Sequence, residues 1–340
     1  MKVCFVELSA EKQVGGLEAA IVKLRETLPR ANVAVVSEQE FANPRDDKVD
    51  VVHFHGLWLP RHSALSRICR ARRMPYVVSP HGMLEPWAWR HKRWKKLPYF
   101  FLRERAHLAG ASALLATGNG EARRLREFFP HTNVHVLPLG LTGDAKPDYE
   151  RARRKLGWPA GERVLLFLSR IHEKKGLDLL LRALHGFRDA RLVIVGGGEP
   201  GYVQTLRDYC EKNAAELPRV EWIGEIWGDA RWAYFQGADL FCLPSHSENF
   251  GLAVLEACQV GTPALTTTTT PWAEALGNAR GFICEPKVES IRSALDRFFS
   301  TPVADARQRD ELSDWAWSNY DWGALAIRYV RFYESLVRRR

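Results

Sequence analysis

The sequence predicts an α/β protein built as two open parallel-sheet domains with a cleft between them. Short apolar, β-branched runs alternate with amphipathic stretches along the chain, the pattern of strands each followed by a covering helix. That alternation occurs twice, interrupted by a segment rich in Gly, Pro and Asp, Leu139–Asp148, which reads as a linker. The length, 340 residues, suits roughly two domains.

In the first half, Val3–Glu7, Val33–Val36, Val51–Phe54, Tyr76–Ser79, Ala113–Ala116 and Val134–Leu137 read as strands, with helices near 16–28, 62–72, 94–108 and 119–129. In the second half, Val164–Leu168, Leu192–Val195, Val220–Ile223, Leu240–Leu243 and Pro263–Thr266 read as strands. Helices are expected at 176–186, 201–216, 229–236, 250–259 and 288–300, and the Trp-rich tail from about 305 to 338 reads as helical. The domains are set at 1–143 and 151–319, with 320–340 as the end of the helical tail. Ligands of such sheets bind at the carboxyl ends of the strands, so the loops after strands are where chemistry is expected.

Composition narrows the class. Hydrophobic residues make up 46% and charged residues 26%, which excludes a disordered or collagenous chain. Mean hydropathy of -0.27 excludes a polytopic membrane protein, and no stretch reaches the roughly 18 apolar residues of a spanning helix. Met1–Glu7 is too short and too soon acidic for a signal peptide and reads as the first strand. Six scattered cysteines, several inside apolar runs, lack metal-ligand spacing and read as buried thiols of a cytoplasmic protein. The net charge of +9 is concentrated: residues 60–110 hold 12 Lys and Arg against Glu85 and Glu104. Such asymmetry points to a polyanionic partner.

Six stretches carry candidate chemistry. Glu248-Asn249-Phe250-Gly251-Leu252-Ala253-Val254-Leu255-Glu256 follows the strand Leu240–Leu243, with a helix expected to begin near 249–251. Glu248 in the loop and Glu256 two turns into the helix can grip sugar hydroxyls, while amides at the helix start accept phosphate. A helix cap and a solvated charge fit the same spacing. Ser169-Arg170-Ile171-His172-Glu173-Lys174-Lys175-Gly176 follows the strand Val164–Leu168. Arg170 and Lys175 there can clamp a diphosphate, although a solvated charge run is the simpler reading of those residues alone. Gly15-Gly16 after the first strand lets backbone approach a ligand closely, or makes an ordinary tight turn. Ser79-Pro80-His81-Gly82 places His81 at a strand end, as a hydrogen-bond donor to a sugar, a proton relay or a structural histidine. Val195-Gly196-Gly197-Gly198-Glu199-Pro200 does not make a proper dinucleotide fingerprint and reads as a strand-to-helix turn. Trp87, Trp89, Arg90, Lys92, Arg93, Trp94, Lys95 and Lys96 interleave aromatic and basic residues, which suits a membrane interface, nucleic acid or a solvated basic helix. No nucleic-acid motif accompanies the patch, so lipid or a lipid-linked acceptor is favoured.

Together these stretches resemble the glycosyltransferase group 1 family, family 4 of the retaining glycosyltransferases. The resemblance rests on Arg170…Lys175-Gly176, Ala238-Asp239…Pro244-Ser245…Glu248-Asn249-Phe250-Gly251…Glu256-Ala257, Gly261-Thr262-Pro263 and Tyr320-Asp321-Trp322. Gly15-Gly16 and His81-Gly82 match more loosely. It implies the GT-B fold: two Rossmann-like domains, the first for the acceptor and the second for the nucleotide sugar, with a last helix crossing back to the first.

By that resemblance Glu256 binds ribose hydroxyls, and Glu248 holds the transferred sugar. Asn249, Phe250, Gly251 and Leu252 meet donor sugar or phosphate. Arg170 and Lys175 bind the diphosphate, Gly15 and Gly16 approach it, and His81 contacts the sugar near the reacting centre. Gly224 and Ile226 lie where the base is held. The implied reaction is retaining transfer, of the hexosyltransferase type, from a UDP-, GDP- or ADP-sugar. The acceptor is expected to be a lipid-linked or cell-envelope polysaccharide intermediate, such as lipopolysaccharide, O-antigen or exopolysaccharide. No metal or other cofactor is expected, and the place is the cytoplasmic face of an anionic membrane, without nucleic acid. Competing readings are a non-hydrolysing nucleotide-sugar epimerase, an NAD-dependent oxidoreductase using Gly196, and a non-enzymatic envelope-binding protein.

Overall fold

The computed structural model describes residues 1–6, 16–36, 38, 41, 49–86 and 93–338, the side chains of Arg93, Lys95 and Asn278 excepted. The described chain forms two compact units, residues 1–142 with 320–340, and residues 143–319. Each holds one six-stranded sheet in which every pairing is parallel.

In unit 1 the strands are β1 (Lys2–Val6), β2 (Ala34–Val36), β3 (Val51–His55), β4 (Tyr76–Ser79), β5 (Ala113–Ala116) and β6 (Val134–Val136), in spatial order β2-β1-β3-β4-β5-β6. Helices α1 (Gly16–Thr27), α2 (Pro60–Ala71), α3 (Arg93–Tyr99), α4 (Arg105–Ala109) and α5 (Asn119–Phe128) alternate with them. A π-helical turn, Phe100–Glu104, joins α3 to α4, so the single helix expected at 94–108 is one rod with a wider turn inside it. All residues of β3, β4 and β5 are buried. Helices covering both faces favour such near-continuous apolar runs, although β3 also buries His53 and His55 and β4 buries Ser79.

Unit 2 begins with α6 (Tyr149–Leu156) and continues through β7 (Arg163–Leu168), α7 (Leu177–Ala183), β8 (Ala190–Val195), α8 (Pro200–Lys212), β9 (Arg219–Gly224), α9 (Ala230–Gly237), β10 (Leu240–Leu243), α10 (Leu252–Gln259), β11 (Ala264–Thr267), α11 (Trp272–Arg280), β12 (Gly281–Cys284), α12 (Val288–Phe299) and α13 (Ala306–Tyr320). The sheet order is β12-β11-β10-β7-β8-β9. Counted within the unit this is 3-2-1-4-5-6 read from the β9 edge, the doubly wound order of dinucleotide-binding sheets. The order reverses between β7 and β10, so the loops leaving those two strands flank the switch point where ligands of such sheets bind.

The structure adds detail to two expectations and corrects a third. The segment expected as a linker is packed: Leu139 and Leu141 are buried, Leu141 N–H donates to the Tyr320 carbonyl at 3.1 Å, and the Trp322 indole donates to the Leu141 carbonyl at 2.8 Å. A side chain on Gly140 would meet that indole at 2.6 Å, so here glycine serves close packing. The tail is two helices, α13 and α14 (Trp322–Val337), separated at Asp321, whose carboxylate accepts from Ala324 N–H at 3.2 Å. α14 belongs to unit 1 and α13 to unit 2. The helix expected over 250–259 starts at Leu252, after Gly251 in left-handed conformation (φ +77°), so Glu256 lies just over one turn in rather than two. All six cysteines are buried and free. Among the described residues no helix is long and apolar enough to cross a membrane.

Candidate active site

The loops leaving β7 and β10 are tied to each other. His246 N–H donates to the Lys174 carbonyl at 2.8 Å. Lys175 Nζ donates to Glu248 Oε1 at 2.6 Å, with the two side chains 18% and 7% exposed. Ser245 Oγ donates to the same oxygen at 2.7 Å, so both described bonds converge on Oε1. The turn before Glu248 is fixed from the neighbouring strand: Thr267 and Thr269 hydroxyls donate to the Ser245 carbonyl at 2.5 and 3.0 Å. Gly176, at φ +68°, has no room for a side chain because a Cβ would run into the Pro244 carbonyl. Local glycine chemistry therefore lets the two switch-point loops touch.

Gly251 caps α10 in left-handed conformation, and its carbonyl accepts from the Trp272 indole at 3.1 Å. Phe250 packs edge-on against that indole, with centroids 5.1 Å apart. In the first turn of α10, Val254 N–H donates to the Gly251 carbonyl at 2.9 Å, which leaves the Leu252 and Ala253 amides as the anion-receptive end. Asn249 Oδ1 is buried there without a partner among the described residues. Glu256 is buried, and its Oε1 accepts from Arg231 Nη2 at 3.1 Å and Nε at 3.3 Å. Neither glutamate is the cap or the solvated charge that spacing alone also permits: Glu248 is ion-paired before the helix, and Glu256 is paired within it.

The structure brings Lys175, Glu248, Asn249, Phe250, Gly251 and Leu252 to one sheet edge. Arg170 lies on the same loop as Lys175, with an exposed side chain. Gly224 (φ +86°) ends β9, and its carbonyl accepts from Gly196 N–H at 2.8 Å; Ile226 follows. The triple glycine 196–198 is explained by crowding. Side chains there would strike the Ser169 carbonyl, the Glu225 carboxylate and the Ile171 carbonyl, and Ile171 N–H donates to Gly197 O at 2.7 Å. Arg231 was missed by sequence reasoning. It lies 25 residues before its partner, at the start of a helix, with no spacing signal linking the two.

In unit 1, Gly16 opens α1 and is exposed; Gly15 lies outside the described residues. His81 follows β4 in left-handed conformation (φ +51°), and its Nε2 is 3.1 Å from His55 Nδ1. Burial holds the His81 imidazole down to about 4. Gly82 N–H donates to Glu121 Oε1 at 2.6 Å. Burial pushes the Glu121 carboxyl up to about 7, although the Gly82 and Thr117 donors pull the other way. Of the aromatic–basic patch, Trp87, Trp89, Arg90 and Lys92 lie outside the described residues, as do the side chains of Arg93 and Lys95. Lys96 sits 5.6 Å above the Trp58 ring, and Trp94 is 73% exposed. Among the described residues no group of His, Cys, Asp or Glu is arranged to hold a metal ion.

Residues 148–314 match the family profile of glycosyl transferases group 1, and residues 6–140 match that of the glycosyl transferase 4-like domain. The chain belongs to the group 1 glycosyltransferases. This glycosyltransferase is 24% identical over 308 residues to the putative teichuronic acid biosynthesis glycosyltransferase TuaC of Bacillus subtilis, covering 86% of this chain and 72% of that protein. Among solved structures it is similar to sucrose-phosphate synthase of Thermosynechococcus elongatus (TM-score 0.80, 17% identity, all of both chains). It is also similar to Anabaena HepE in complex with UDP (TM-score 0.77, 18% identity, 98% of this chain and 100% of that one). The glycosyltransferase thus has the GT-B type of fold, and the 238–263 block that carries the family resemblance is the block that builds its switch-point loop and the packing behind it.

Proposed function

We propose that this glycosyltransferase moves a hexosyl unit from a nucleoside diphosphate sugar to an acceptor hydroxyl with retention at the anomeric carbon and without a metal. The observation that carries the reading is the Lys175–Glu248 pair at the switch point of unit 2, beside the amino end of α10. A cation and helix amides suit a diphosphate. Glu248 Oε2, turned away from both described donors to Oε1, suits a hydroxyl of the transferred sugar, and Glu256 suits the ribose. Arg170 would add charge to the clamp, and Gly224 and Ile226 would border the base; for Gly16 and His81 the family resemblance implies donor contacts. UDP in the structurally similar HepE supports a nucleotide donor.

In a front-face route the C1–O bond to the phosphate breaks with its electron pair on oxygen, and an oxocarbenium-like sugar forms. The acceptor oxygen attacks from the same face and its proton passes to the departing phosphate. Positioned cations and amides then supply most of the rate, about 3–4 kcal/mol for each preorganised donor. The test is a thermal-shift screen with UDP-, GDP- and ADP-glucose, in which the bound donor raises the melting temperature. Nucleoside diphosphate release is then measured in Lys175→Ala and Glu248→Ala. Each should fall at least about tenfold while folding is kept; near-normal release in both folded variants overturns the assignment.

The acceptor we assign is a lipid-linked or cell-envelope polysaccharide intermediate met at an anionic, cytoplasm-facing membrane surface; the name of the related TuaC supports the envelope class. The supporting feature is the rod from α3 to α4, where Trp94, Phe101 and Leu102 are 73%, 63% and 80% exposed among exposed Arg103 and Arg105. Apolar side chains with flanking cations match a headgroup boundary. Sedimentation with phosphatidylcholine vesicles containing one-third phosphatidylglycerol should capture the protein, less so as salt rises and less so for Phe101→Ser/Leu102→Ser. Equal capture by pure phosphatidylcholine vesicles would sink this part.

A further inference from the structure

His55 closes β3 two residues after His53, so both side chains stand on the same face of the strand. His53 is anchored at both nitrogens: Nδ1 is 2.8 Å from the Tyr333 hydroxyl of α14, and Nε2 is 2.7 Å from Ser79 Oγ. Its ring packs 4.0 Å from that of His55, and Phe5 packs against both, 5.5 Å from His53 and 5.0 Å from His55. His55 is thereby walled in, and its Nδ1 meets His81 Nε2 at 3.1 Å. The two rings are 5.4 Å apart at their centroids with planes 6° apart. With nitrogens that close, this spacing sets the rings edge to edge in one plane. A ring N–H lies in that plane, so the proton of one ring points at the lone pair of the other.

Two atoms of the couple are left over. His55 Nε2 and His81 Nδ1 are both buried without a partner among the described residues. Buried polar atoms are seldom left unpaired, and an apolar side chain would pack there at lower cost. The couple is also neutral, because burial holds His81 down to about 4 and His55 well below the ordinary imidazole range. One proton therefore lies between the rings. If it rides on His55 Nδ1, His81 carries its own proton on Nδ1 and offers a donor; if it rides on His81 Nε2, then Nδ1 offers a lone pair.

We infer that His55 is a positioning residue for His81: their in-plane hydrogen bond sets which nitrogen of His81 carries the proton and where Nδ1 is aimed. This rests on the reading that His81 meets the transferred sugar. The left-handed backbone at His81 fits the same role, since a residue in that conformation must be held by its surroundings. Gly82 held by Glu121 and the Gly56 N–H bonded to the Ser79 carbonyl at 2.8 Å do the holding.

The test uses full-length His55→Phe, His55→Asn and His81→Ala. Nucleoside diphosphate release is measured without added acceptor, using whichever of UDP-, GDP- and ADP-glucose stabilises the wild type most. His55→Phe should lose about tenfold or more in kcat with donor KM nearly unchanged. His55→Asn, whose amide can still reach His81 Nε2, should recover most of it. Nitrogen-15 spectra of labelled histidines should show one neutral tautomer of His81 in the wild type and a mixture in His55→Phe. If His55→Phe does not fold, the wild-type and His55→Asn spectra decide. Two equal tautomers of His81 in the wild type, or full kcat in folded His55→Phe beside an inactive His81→Ala, would overturn the positioning role alone. Full activity of His81→Ala would remove His81 itself from the site, and this role with it.

Discussion

At the scale of single residues, the candidate site depends on a few side chains whose partners leave little freedom. Glu248 is held through one oxygen by Lys175 and Ser245, and Glu256 through one oxygen by Arg231. That both glutamates belong to one candidate site was legible from spacing and resemblance. Their cationic partners were legible only in part: Lys175 stands in a basic run, but Arg231 stands in none. Gly251 is a further constraint, since its φ is +77° and a Cβ there would lie 3.1 Å from the Trp272 indole nitrogen. Gly251→Ala should therefore cost about 1–2 kcal/mol from the left-handed backbone and also weaken donor binding, because the amino end of α10 must move. A urea midpoint unchanged from wild type would show that the turn relaxes freely.

At the scale of elements, the opposite edge of the unit 2 sheet explains the rest of the 238–263 block. Asp239 precedes β10 and is 2% exposed. It accepts from Val164 N–H at 2.7 Å, from the Tyr149 hydroxyl at 2.8 Å and from Arg153 at 3.2 Å; Arg309 of α13 stands 3.6 Å away. Arg309 in turn donates to the Ala238 carbonyl at 3.1 Å and the Thr262 hydroxyl at 3.3 Å. This carboxylate pins α6 and α13 to the sheet at the edge away from the switch-point loops. Asp239→Asn leaves two guanidinium groups without their buried counter-charge and should cost about 3–5 kcal/mol, read as a lowered urea midpoint, with donor affinity of the folded fraction kept. A loss of donor affinity without loss of stability would contradict the structural role. α6 escaped sequence reading because only Ala152 and Arg153 of its eight residues are buried, which leaves no apolar stripe to detect. α11 follows a run of five threonines and contains a non-helical Gly277, and β12 has only four residues.

At the scale of the whole molecule, the buried histidines among the described residues lie in unit 1, with two buried glutamates. Burial lowers His53 and His107 to about 3 and His81 to about 4. The folded unit therefore refuses protons that the unfolded chain takes up below about 6.5, so each of these histidines removes stability as pH falls from there. Burial raises Glu104 and Glu121 to about 7. Those groups keep protons that the unfolded chain releases above about 4.5, so they remove stability as pH rises toward 7. The two effects oppose each other between about 4.5 and 6.5, and below that only the histidines act, each at about 1.4 kcal/mol per pH unit. Hydrogen exchange at pH 4 should accordingly show unit 1 opening before unit 2; equal protection of both units at pH 4 would refute the assignment.

The sequence alone determined the double β–α alternation, the strand-end placement of Glu248, Lys175 and His81, and the family, because strands, helix starts and glycine turns are written in local periodicity and residue type. Only the tertiary structure decided the doubly wound order of the second sheet, the salt bridges of Glu248 and Glu256, the Asp239 anchor and the His55–His81 couple. Each of these joins residues from separate elements, and their meeting depends on which strands become neighbours and how closely glycines let the backbone pass.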